Sequence, residues 1–105
     1  MGSSSASVDE VSWRIGISRQ AEKFLSRNHL PDEFLFSPLS KAVARFSGEA
    51  IAIDMVRLSG EWEGFYRIRV GRIRIIFSAD MHGHALFVEV IDYRGGAYKR
   101  KPRNW

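Results

Sequence analysis

The apolar residues of this chain follow two periods in succession, and the changeover divides it into two layers. Residues 13–17, WRIGI, alternate apolar with polar as a short strand does. From Ser18 the spacing lengthens: Ala21, Phe24 and Leu25 fall on one helical face, and Ser18 ahead of them offers the hydroxyl that an N-cap favours. A first helix is predicted over residues 18–28. Pro31 then restarts the chain, residues 32–36 predict a short helical turn, and Ser37 with Pro38 reads as an N-cap followed by proline at the first helical position. Leu39, Ala42, Val43 and Phe46 mark the buried face of a second helix, which Gly48 ends. Two amphipathic helices so close in sequence predict a helical hairpin.

Beyond Ile51 the period shortens to two. IAIDMVRL, EGFYRIRV, RIRIIFSA and LFVEVIDY predict four strands, with turn signals in SGEWEG, at Gly71 and in ADMHGHA. Links this short imply an antiparallel meander. The order β-α-α-β-β-β-β predicts an α+β fold, a two-helix hairpin packed on one face of a mainly antiparallel four- to five-stranded sheet, with the other face open. Ile68, Val70, Ile73, Ile75, Phe77, Val88 and Val90 are expected to face the helices, alongside Phe24, Leu25, Val43 and Phe46.

With 105 residues the chain holds one core and no separate cofactor domain. Residues 11–99 read as that domain, residues 1–10 as a disordered start, and residues 100–105 as a basic tail. No apolar run is long enough to span a bilayer, and MGSSSAS lacks the basic and apolar parts of a signal peptide, so a cytoplasmic location without a membrane partner is expected. The absence of cysteine excludes disulfides, thiolate metal sites and thiol nucleophiles.

Charge changes the picture more. The net charge of +4 comes from twelve Arg and only four Lys against twelve acids. Arginine's planar fork matches phosphate and carboxylate, so the skew points to a polyanionic partner. Four arginines crowd into YRIRVGRIRIIF, residues 66–77. Alternation places Arg67 and Arg69 on one face and Tyr66, Ile68 and Val70 on the other, and a turn at Gly71 brings Arg72 and Arg74 alongside. Like charges on adjacent strands repel, so either an anion relieves them or Glu61, Glu63, Glu89 and Asp92 neutralise them as surface ion pairs.

Leu58 and Gly60, then YRIRVGRIRIIF, then a last strand ending in IDYRGGAY, resemble the RelE/ParE toxin superfamily of bacterial toxin–antitoxin systems over residues 13–99. The resemblance implies a toxin held inactive by a cognate antitoxin. Two activities are known in that superfamily: RelE-like members cut mRNA in the ribosomal A site without a metal, and ParE-like members inhibit DNA gyrase. The RelE-like site pattern matches Arg67, Arg69, Arg74, Arg94 and Tyr98. Two departures stand out, arginines where lysines are typical at the first pair and a short interval between Arg94 and Tyr98.

The chemistry of such a site uses the RNA's own 2′-OH as nucleophile, so the protein must gather charge around a phosphorane and manage two protons. Arg67 and Arg74 are expected to clamp the scissile phosphate, with Arg69 and Arg94 on the phosphorane or the leaving 5′-oxygen. Arginine hardly titrates, which leaves Tyr98 as a proton carrier if neighbouring cations acidify it, or as a stacking ring. Trp62 is a second candidate for stacking on a base, and Arg72, Lys99 and Arg100 for phosphate contacts that weaken with salt. Arg57 reads either as part of the basic field or as one half of a cross-strand ion pair. His82 and His84 lack an evident third ligand and read as a polar turn, so no metal or cofactor is expected. An mRNA endonuclease, a gyrase inhibitor and a non-catalytic RNA-binding protein all remain open at this level.

Overall fold

The computed structural model describes residues 13–93. Five strands and two α-helices follow one another as β1 (Arg14–Ile17), α1 (Arg19–Arg27), α2 (Glu33–Phe46), β2 (Met55–Arg57), β3 (Phe65–Val70), β4 (Ile73–Asp80) and β5 (Ala85–Tyr93). The fold is the expected α+β arrangement, two helices on a mixed, mainly antiparallel sheet of order β1-β5-β4-β3-β2, with β1 pairing parallel to β5. Among the described residues no helix is long and apolar enough to cross a membrane.

The helix side of the sheet is sealed by Ala21, Phe24 and Leu25 of α1 and Leu35, Leu39 and Ala42 of α2, packed on Ile68, Ile75, Phe77, Leu86, Val88 and Ile91. Val43, Phe46, Val70 and Ile73 are partly buried against this cluster. Ser18 caps α1 as expected, its Oγ accepting from the Ala21 amide at 3.1 Å. The same hydroxyl donates to the Glu89 carbonyl at 2.6 Å, which ties the start of α1 to β5. One turn further, Gln20 grips the β5 backbone where β1 has ended: its Nε2 donates to the Ile91 carbonyl at 2.8 Å and its Oε1 accepts the Ile91 amide at 3.0 Å. A side-chain amide thus replaces a missing strand in the ladder.

Four expectations need correction. The second helix does not begin at Ser37; it starts at Glu33 and carries Pro38 inside it. Proline there removes a bond to the Phe34 carbonyl and costs about 3 kcal/mol in a free helix. Continuing the helix, however, buries Leu35 completely, and Phe34 and Leu35 amides already bond to the Pro31 and Asp32 carbonyls at 2.9 Å. The strand expected over residues 51–58 narrows to Met55–Arg57, because the Met55 amide turns back to the Ile53 carbonyl at 3.0 Å. Val90 lies on the face away from the helices: Ile76 pairs with Val90 but Phe77 with Val88, so Glu89 is an extra residue in a bulge that reverses the alternation along β5. Finally, that second face is not wholly open. Trp62, Phe65, Ile76 and Val90, with Leu58 at their edge, form a small second core over one half of it.

Candidate functional site

The other half of that face carries the charges. Val70 and Ile73 close the β3–β4 hairpin, and the two residues between them turn with a positive φ of 61° at Gly71 only, the pattern of a type II′ turn. Arg72 is therefore the exposed second residue of the turn and not, as alternation suggested, a strand neighbour of Arg74. Register then places Arg69 directly opposite Arg74, and Arg67 opposite Ile76. The Arg69 amide is committed outward, to the Asp54 carbonyl at 3.0 Å, so Arg69 and Arg74 form a non-hydrogen-bonded pair. In pairs of that kind the Cα atoms approach to about 4.5 Å and the side chains stand closest. Two arginines stand directly opposite each other across the hairpin.

Their relief comes from a residue the sequence reading did not single out. Asp54 sits at the centre of the tight turn that opens β2, and its carboxylate bridges two arginines: Oδ1 to Arg67 Nη2 at 3.2 Å and Oδ2 to Arg69 Nε at 2.5 Å. On the far side, Asp92 of β5 is the cross-strand neighbour of Arg74. Arg67 and Arg69 differ in exposure. The Arg67 side chain is 14% exposed and its buried Nε has no acceptor among the described residues, whereas the Arg69 side chain is 49% exposed. Arg74 is half-buried. The arrangement presents Arg69 and Arg74 to solvent, with Arg67 behind them at the border of the second core.

Other candidates sort differently. A ring that stacks on a base must be exposed, and Trp62 is 6% exposed, folded by the single 3₁₀ turn Gly60–Trp62 edge-on against Phe65 at 5.2 Å between centroids. It is a core residue. Arg57 pairs opposite Tyr66, on the helix side of the sheet, and stands apart from the arginine face. His84 lies edge-on to Trp13 at 5.3 Å while His82 is exposed, and the described residues hold no group of three or more His, Asp or Glu able to bind a metal. Arg94, Tyr98, Lys99 and Arg100 lie outside the described residues, as do the expected disordered start and basic tail. An isolated signal for Asp54 was present in the sequence: it alternates with Ile53 and Met55 and so belongs to the Val56 side of its segment, but its partner could be named only once Met55 was known to pair with Ile68.

No family model matches the sequence, and no curated protein matches it. Solved structures do. A metal-bound toxin from Helicobacter pylori superposes with a TM-score of 0.61 at 15% identity, covering 81% of this chain and 98% of that one. The YoeB–YefM complex from Staphylococcus aureus matches at 0.55 and 14% identity over 80% of this chain and 99% of the other. The archaeal RelE–RelB complex from Pyrococcus horikoshii matches at 0.52 and 23% identity over 81% and 98%. These neighbours are toxins, two of them in complex with an antitoxin, and each is matched over almost its full length. The chain accordingly has the fold of the RelE-type toxins.

Proposed function

We propose that this chain is the toxin of a toxin–antitoxin system and acts as a metal-independent endonuclease on translated mRNA at the ribosome. The observation that carries the reading is the opposed Arg69–Arg74 pair, backed by Arg67, on a RelE-type fold. Two cations held close on a rigid hairpin are unfavourable by themselves and become favourable around a phosphate. In the reaction, the 2′-OH attacks the adjacent phosphorus and gives up its proton, while the bond to the 5′-oxygen breaks and that oxygen takes a proton, leaving a 2′,3′-cyclic phosphate and a 5′-hydroxyl. Charge grows on the phosphorane oxygens between these events. In this reading Arg69 and Arg74 hold it, and Arg67 holds the phosphate ahead of them. Arg94 is assigned to the leaving oxygen and Tyr98 to proton transfer or stacking.

A cytoplasmic antitoxin follows as the partner, one that lays acidic or apolar residues over the arginine face and wraps the helices. The deciding experiment incubates the purified chain with programmed ribosomes and maps mRNA ends, with a gyrase supercoiling assay alongside. New ends within translated codons, lost in Arg74→Ala, are expected. Intact mRNA with inhibited supercoiling would replace this reading with that of a gyrase inhibitor.

A further inference from the structure

Arg67 and Arg69 already hold an anion, and it belongs to the protein. The Asp54 carboxylate spans both guanidiniums, one oxygen on each, in the way two phosphate oxygens would be held. We propose that Asp54 is an exchangeable internal counterion of the arginine face: it holds Arg67 and Arg69 in place while the site is empty, and the RNA phosphate must displace it to bind. The inference rests on the phosphate-binding reading above and concerns what that reading costs.

Three observations support exchange over a fixed structural bridge. The first is accessibility: the Asp54 side chain is 38% exposed and that of Arg69 49%, so this half of the bridge contributes only about 0–1 kcal/mol, while at the 14% exposed Arg67 the incoming phosphate must replace the carboxylate it displaces. Next, the bridge leaves Arg67 incompletely satisfied. Its Nη2 has the carboxylate, but its buried Nε has no acceptor among the described residues, so a ligand with more oxygens than a carboxylate offers something Asp54 does not. Finally, the carboxylate has somewhere to go. The Asp54 backbone is latched through its carbonyl to the Arg69 amide and by the turn at Ile53 and Met55, so only the side chain needs to move. The side chain is 38% exposed, so the departing carboxylate can turn outward into solvent and be hydrated there.

The consequence is a site with two anion states. Empty, it carries a neutralising carboxylate that relieves Arg69 facing Arg74; loaded, the phosphate takes that role and Asp54 stands aside. Affinity for RNA is then lower than three arginines would provide, and its salt dependence shallower, since part of the exchange releases a protein carboxylate rather than solution ions.

The test reads binding apart from cleavage by using a 2′-O-methyl RNA oligonucleotide, which has no nucleophile. Asp54→Asn keeps the backbone carbonyl bonded to the Arg69 amide and removes only the charge. It is expected to tighten that RNA about tenfold and to steepen the slope of log affinity against log salt by about 0.7–1.4, one or two phosphate contacts' worth. Glu22→Gln on the solvated surface of α1 removes the same charge elsewhere and is expected to change affinity less than twofold. In the wild-type chain, added RNA should move the Asp54 carboxylate carbon and Arg69 Nε–H resonances together, a measurement that needs no variant to fold. Affinity that is unchanged or weaker in folded Asp54→Asn, or an Asp54 signal that stays fixed while Arg69 shifts, would overturn the proposal and make Asp54 a permanent brace. Tighter binding by Asp54→Asn with no cleavage of ribosome-bound mRNA by any form would uphold the counterion and reject the nuclease reading instead.

Discussion

The two faces of the β3–β4 hairpin are built from the same two strands and obey different rules. On the helix side, Ile68, Ile75 and Phe77 are fully buried and each has a single place to be. On the other side the hairpin divides again, with Ile76 and Phe65 under Trp62 toward one end and Arg69 opposite Arg74 toward the other. Burial specifies the first face and the capped end of the second, since removing apolar surface from water yields roughly 25 cal/mol per Å² wherever it happens. The charged end is specified by something else. Opposed like charges lower stability, and a partly exposed carboxylate bridge returns little of it, so the stability of the fold does not account for this end.

Substitutions should separate the two regimes. The largest effect is expected from Ile75→Asp, which places an unpaired charge in the middle of the helix-side core; loss of a cooperative thermal transition checks it, and a soluble, sharply melting variant would show the register to be wrong. Trp62→Ala should cost about 3–5 kcal/mol in urea unfolding, because its indole is buried in the second core; an unchanged midpoint would restore it as a free ring. Arg74→Ala should leave the urea midpoint within about 0.5 kcal/mol of wild type yet slow single-turnover mRNA cleavage about a hundredfold or more, equivalent to about 2.7 kcal/mol of transition-state stabilisation. Smallest is Arg72→Ala. From its place in the turn it should leave the rate of bound substrate intact and reduce only the salt slope of RNA binding, by about 0.7.

What was legible in the sequence follows the same division. Ile68, Ile75 and Phe77 alternate without interruption, and only one register buries them, so the helix side could be read directly. Val90 could not, because the bulge at Glu89 shifts the alternation by one residue and leaves no mark in composition. Pro38 misled for a related reason: its local preference for a helix start was overridden by the burial of Leu35 one turn earlier, a tertiary effect. Trp62 sits in a segment that reads as a turn, and its burial depends on Val90 being on the face it covers. On the charged half, the arginines and their common face were visible, whereas Asp54 was hidden inside what read as an unbroken strand.

The parallel pairing of β1 with β5 has a consequence for the life of the chain. Ser18 and Gln20 hold backbone groups 71 residues away, so the first strand lacks its ladder partner and the first helix its backbone anchor until the last strand has been made. Contacts of such long range form late and make folding slow. During synthesis the chain emerges at about 5–20 residues per second, and the arginine hairpin leaves the ribosome before β5, which carries Asp92 beside Arg74 and Val90 beneath Trp62. A nascent chain arrested before residue 85 would therefore lack β5, the strand that joins β1 to the rest of the sheet. Until β5 is made, the polypeptide is kept from completing the arginine face on the machine on which that face is proposed to act.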